Sequence, residues 1–167
     1  MLTETIQLET VRQKIEDTYE ASVAQSEMLD RGMVDRGKEK ETREFVNRHN
    51  NQAKALKEEL KQLIAATRSQ NPQAFDEWID YHIAMLQKIA DEKTAGDKAR
   101  LRQSVAKQTI LEWEKVRAGE QDYVNINGHY LKDYRANVRK IKGGRTATVE
   151  KSGSGKTDGK AWWQFWK

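Results

Sequence analysis

Gly153-Ser154-Gly155-Lys156-Thr157 carries the residue types that cradle a phosphate. A complete phosphate-binding loop needs a further glycine at position 150, where this chain has Glu150. It also needs a strand before it and a helix after it, so that backbone N–H groups converge on the anion. Asp158-Gly159 follows instead. The stretch reads as a Ser/Gly linker that contains lysine.

Metal chemistry would fall to His49, His82 and His129, because the chain has no cysteine. A di-iron helical bundle places Glu three residues before His, and those positions hold Val46, Ile79 and Ile126. His82 sits among apolar residues at helical spacing and is expected to be a core histidine with a hydrogen bond. Asp76 and Asp80 lie one turn apart, as a carboxylate pair for acid–base work would. They also fall in the first turns of a helix starting at Pro72, where negative charge offsets the helix dipole. No serine stands at a spacing that pairs it with a base. The sequence therefore leads us to expect no metal, no cofactor and no enzyme.

Two other groups of residues stand out. Trp162, Trp163, Phe165 and Trp166 are bracketed by Lys160 and Lys167, and three of the chain's five tryptophans are among them. In a helical turn Trp162, Phe165 and Trp166 would share a face. Each such ring buries roughly 150–250 Å² on docking, so this cluster is the expected partner-binding segment. Lysine beside tryptophan also suits a membrane interface. The second group is a stripe of Lys132, Arg135, Arg139 and Lys142. It runs about 100° around a helix from an apolar stripe of Leu131, Tyr134, Val138 and Ile141. Lysines on a solvated bundle helix, a surface for an acidic protein such as a neighbour's N-terminal helix, or a phosphate or lipid contact each account for it.

The elements that would position these residues are helices. Leu8, Val11, Ile15, Tyr19 and Val23 recur at three and four, predicting a first helix from about position 3 to 31. The doubled Asp-Arg-Gly at 30–32 and 35–37 reads as a helix end and turn. His49, Ala53, Leu56, Leu60, Leu63 and Thr67 then step 4-3-4-3-4, with Phe45 extending them backward. That is a coiled-coil-like seam on a helix from about 38 to 68. Asn71-Pro72 is a cap and a first helical position.

A third helix from 72 to about 94 has the richest apolar face: Phe75, Trp78, Ile79, His82, Met85, Leu86 and Ile89. A fourth, from about 97 to 118, carries Leu101, Val105, Ile110, Trp113 and Val116. Gly96 either separates the two or lies inside one longer helix. Asn127-Gly128, amid alternating apolar residues in 122–130, predicts a tight turn or a small hairpin. A last helix is expected over 130–142, followed by a flexible Gly/Ser/Thr/Lys linker at 143–160 and the aromatic segment at 161–167.

Composition sets the frame. Of 167 residues 37% are hydrophobic and 34% charged, with mean hydropathy −0.95. So thin an apolar supply argues for long narrow helices or for a core completed by a second copy. No apolar run approaches the ~20 residues that span a bilayer. Met1-Leu2-Thr3-Glu4 lacks the marks of a secretory signal, so the expected compartment is the cytoplasm, with a membrane surface or a large assembly as refinements. Net charge is +4, but 129–167 hold 10 Lys/Arg against 3 Asp/Glu, while 1–34 hold 3 against 7. Either the two ends pair, within or between chains, or the basic end meets a polyanion.

The resulting expectation is an all-α, elongated antiparallel helical hairpin or bundle of about five helices, with domain 1–142 and a flexible C-terminal tail. Its expected role is non-enzymatic: an adaptor, scaffold or accessory subunit that self-associates and docks an unidentified protein. A peripheral membrane protein and a non-sequence-specific nucleic-acid binder are the alternatives; no specific nucleic-acid motif is visible.

Overall fold

The structure, a computed structural model, describes residues 1–141. They form five helices: α1 Thr3–Asp30, α2 Glu39–Gln70, α3 Pro72–Ala90, α4 Asp97–Arg117 and α5 Lys132–Arg139, with a 3-10 turn at Arg36–Lys38. The expected all-helical class is therefore observed. Lys142, the linker and Trp162, Trp163, Phe165 and Trp166 lie outside the described residues.

The helices run up and down in turn. Ser22 Oγ donates to Asn50 Oδ1 at 2.6 Å, and Lys57 Nζ stands 4.9 Å over the Tyr19 ring, so α1 and α2 are antiparallel. Thr5 meets Glu77 and Glu9 meets His82, so α3 runs parallel to α1. Arg102 pairs with Glu92 while Arg117 pairs with Asp76, which turns α4 back along α3. Short connections impose this order, since a single residue, Asn71, separates α2 from α3.

Local chemistry sets the helix ends. At Gly32, φ is 64°. The Met33 N–H donates to the Met28 carbonyl at 2.9 Å and the Gly32 N–H to Leu29 at 3.1 Å. These are the two bonds of a left-handed helix terminus. Gly119 ends α4 in the same way, with φ 81°. Asn71 Oδ1 caps α3 by accepting from the Ala74 N–H at 3.3 Å. Gly96, at φ 119°, breaks the chain between α3 and α4, which settles them as two helices.

The core joins Leu8 and Ile15 of α1, Leu60 and Ile64 of α2, Trp78, Ile79 and Leu86 of α3, Trp113 of α4, and Leu131, Tyr134 and Val138 around α5. Trp78 and Trp113 meet edge to face, 5.0 Å between centroids and 88° between planes. The α2 seam is its buried face: Ala53, Leu60 and Thr67 are covered and Phe45, His49, Leu56 and Leu63 half covered.

Three expectations need correcting, and one open alternative is decided. Val23 and Leu101, placed on apolar stripes, are half exposed at 52% and 51%. α3 stops at Ala90 rather than near 94. α5 is shorter than 130–142 at both ends. No strand occurs among the described residues, so 122–130 holds the tight turn and not the hairpin. Asn127 Oδ1 accepts from the N–H groups of His129 and Tyr130 at 3.0 and 3.2 Å. The Val124 carbonyl, which a hairpin would give to a neighbouring strand, accepts instead from Arg12 at 3.2 Å.

Candidate functional site

Glu9, Arg12, Gln13 and Glu16 occupy one face of α1 at i, i+3, i+4 and i+7. In an outer helix this would be a solvated face with ordinary i,i+3 and i,i+4 pairs. Here the segment after α4 and the helix α5 cover it, and all four residues are at most 1% exposed. Through its middle turns α1 is thus covered on this face as well as on its apolar one, and only the stripe of Gln7, Lys14 and Asp17 is left exposed.

The geometry is a continuous polar network. Glu9 Oε1 accepts from Arg12 Nε at 2.8 Å and from Gln13 Nε2 at 3.2 Å. Glu9 Oε2 accepts from Trp78 Nε1 at 2.8 Å and faces His82 Nε2 at 2.6 Å. Arg12 donates onward to Glu16 Oε2 at 2.8 Å, and Glu16 Oε1 meets Arg135 Nε of α5 at 2.7 Å. Gln13 Nε2 reaches the Val138 carbonyl at 3.0 Å. On its far side His82 Nδ1 is 2.5 Å from the Tyr134 hydroxyl. Its ring stacks on Trp113 at 3.9 Å and 12°.

Electrostatics fixes the protonation. Burial opposes the Glu9 charge, but Arg12 and then His82 outweigh it and hold the carboxyl well below its usual range. Burial likewise opposes the Arg12 charge, and Glu9 with Glu16 overcomes it, keeping the guanidinium ionised. For His82 burial wins: its pKa falls below 6.5 despite Glu9. A neutral ring beside an ionised carboxylate donates from Nε2–H, so Nδ1 accepts from the Tyr134 O–H. Burial raises the Tyr134 phenol well above its ordinary value, against the pull of Arg12.

Carboxylate, imidazole and hydroxyl therefore stand in the order of a nucleophilic triad. The hydroxyl at its end, however, is 1% exposed and hard to ionise. What the arrangement does physically is tie α1, α3 and α5 together. Truncating one member of such a buried charged set costs about 3–5 kcal/mol, because the others are left uncompensated.

The residues singled out from sequence are placed as follows. His82 is the expected hydrogen-bonded core histidine. His49 stacks on Phe45 at 3.8 Å, and His129 is exposed at the Asn127 turn. Asp76 and Asp80 share the Arg117 guanidinium on the surface. Of the basic stripe, Lys132 is exposed. Arg135 binds Glu16 and Glu20, and Arg139 binds Asp17, all on α1. The acidic first helix and the basic last helix thus pair within one chain. Sequence reasoning missed Glu9, Arg12, Gln13 and Glu16. Their spacing is that of a solvated face, and a buried His82 needing a partner is the only hint to the contrary.

No family model, curated protein or solved structure matches this chain. Among the described residues, no helix is long and apolar enough to cross a membrane.

Proposed function

We propose that this chain is a non-enzymatic helical interaction protein that docks a partner protein through Trp162, Trp163, Phe165 and Trp166. The observation that supports this reading is the anchoring of α5. Tyr134, Arg135 and Val138 are each tied by hydrogen bonds or ion pairs to side chains of α1 or α3. The helical body can therefore act as a platform from which the aromatic segment reaches a pocket on another protein. Four aromatic rings supply enough apolar area for docking even after ordering costs.

The membrane and nucleic-acid alternatives draw on the basic stripe. Arg135 and Arg139 are engaged by carboxylates of α1, which leaves less cationic surface for a polyanion and favours the protein partner.

The test is a pull-down with the full chain and with a variant carrying alanine at 162, 163, 165 and 166, paired with thermal melting. Loss of a specific partner with melting unchanged is the expected result. Retention of every partner by the variant overturns the reading.

A further inference from the structure

An open groove of about 890 Å³ runs between the second half of α1 and α4 and is closed at one end by residues 125–128. That volume is within the range of ~300–1,000 Å³ typical of ligand sites. Tyr19, Val23 and Val105 give it apolar surface, and Glu20, Glu27 and Glu112 give it negative charge. No lysine or arginine is among its lining residues. Arg135 engages Glu20 at one end, while Glu27 and Glu112 form no ion pair among the described residues.

We propose that this groove holds the chain's own segment 160–167 in cis, parking the docking residues until a partner displaces them. This inference rests on the docking role proposed above. Three observations carry it. Charge is complementary: Lys160 and Lys167 flank the aromatic cluster, and no acidic residue lies between them. Shape and polarity agree, because flat aromatic rings would cover the half-exposed Val23 and the half-buried Tyr19.

Reach agrees as well. Arg139 binds Asp17, the neighbour of the groove-lining Glu16, so α5 ends beside the groove. Nineteen residues separate Ile141 from Ala161. A random coil of that length has a root-mean-square span of about 24 Å. The groove extends from Glu16 to Glu27 along α1, on the order of 16 Å at 1.5 Å per residue. Tethering sets an effective concentration near ~1 mM, so a contact with an intrinsic Kd of about 100 μM stays roughly nine-tenths closed. A tighter partner can still open it.

Hydrogen exchange on the full-length chain tests this, compared with the W162A/F165A/W166A variant and with a groove variant, E27K/E112K. Amides across 19–27 and 104–112 should exchange about tenfold more slowly in the unaltered chain, as a nine-tenths closed groove requires. Both variants should lose that protection. Equal exchange in the unaltered chain and the triple-alanine variant overturns the proposal. Protection that grows with protein concentration also overturns it, because the occupant would then be a second copy's segment. If the groove variant loses helix by circular dichroism, the alanine variant alone decides. Capture of a partner through 161–167 with no groove protection would overturn the parking while leaving the docking role intact.

Discussion

His82 Nε2 lies 2.6 Å from Glu9 Oε2, joining α3 to α1 in the interior of the bundle. Glu9 also takes hydrogen bonds from Trp78, Arg12 and Gln13, so this one carboxylate is the point where the polar interior converges. Replacing Glu9 by alanine strands a guanidinium, an indole N–H and an imidazole N–H together. We expect a loss of about 3–5 kcal/mol in unfolding free energy, measured by urea denaturation with circular dichroism. A loss below ~1 kcal/mol would show that water enters and solvates the set.

Acid should weaken the fold, with His82 acting first. Its pKa in the folded chain lies below the ordinary 6.5, so the unfolded chain binds the proton more readily. The stabilisation is complete above pH 6.5 and is lost as pH falls from there toward the folded pKa. Glu9, also lowered from its ordinary 4.5, acts with the same sign further down. The melting temperature should drop between pH 7.5 and 5, and His82→Gln should flatten that slope. A wild-type melting temperature that is flat over this interval would contradict the assignment of a neutral buried imidazole.

The two arginines of α5 should differ in worth. Arg135 meets Glu16, whose side chain is 1% exposed, so Arg135→Ala leaves a buried carboxylate short of a partner. A cost of about 1–3 kcal/mol follows. Arg139 and Asp17 are 30% and 46% exposed, and Arg139→Ala should cost less than about 1 kcal/mol. Equal costs for the two variants in the same denaturation assay would mean that α5 is held by its apolar face alone.

Two glycines of the doubled Asp-Arg-Gly make an internal control. Gly32 has φ 64° while Gly37 has no positive φ, and both have open space where a Cβ would go. Gly32→Ala should cost about 1–2 kcal/mol through left-handed strain. Gly37→Ala should be neutral or stabilise by up to ~1 kcal/mol, because the unfolded chain loses freedom. The sequence repeats the motif, but the backbone uses its two glycines differently.

Much of the architecture is legible along the chain because it is local. The buried face of α2 follows from the three- and four-residue spacing of His49, Ala53, Leu56, Leu60, Leu63 and Thr67. The α3 start follows from Asn71-Pro72 and the α1 end from Gly32, each set by groups within a few residues. The apolar stripe of Leu131, Tyr134 and Val138 is buried as its spacing predicts. Asn127-Gly128 is legible as a turn and misleading as a hairpin. Whether Val124 pairs with a strand depends on what else reaches its carbonyl, and Arg12, 112 positions earlier, does so.

The charged face of α1 marks where local reading ends. Glu9, Arg12 and Glu16 have the same types and spacing whether they face water or a protein interior. Composition shows a thin apolar supply. Only packing shows that α5 and residues 121–131 are laid over α1, so that charged and polar side chains complete the core. The same holds for Arg135 and Arg139, whose spacing defines a basic stripe but not its counter-charges. Helical periodicity is written in neighbours three and four apart. Desolvation, and with it the neutral His82 and the ionised Glu9, depends on which distant segments close over them, and that is decided in three dimensions.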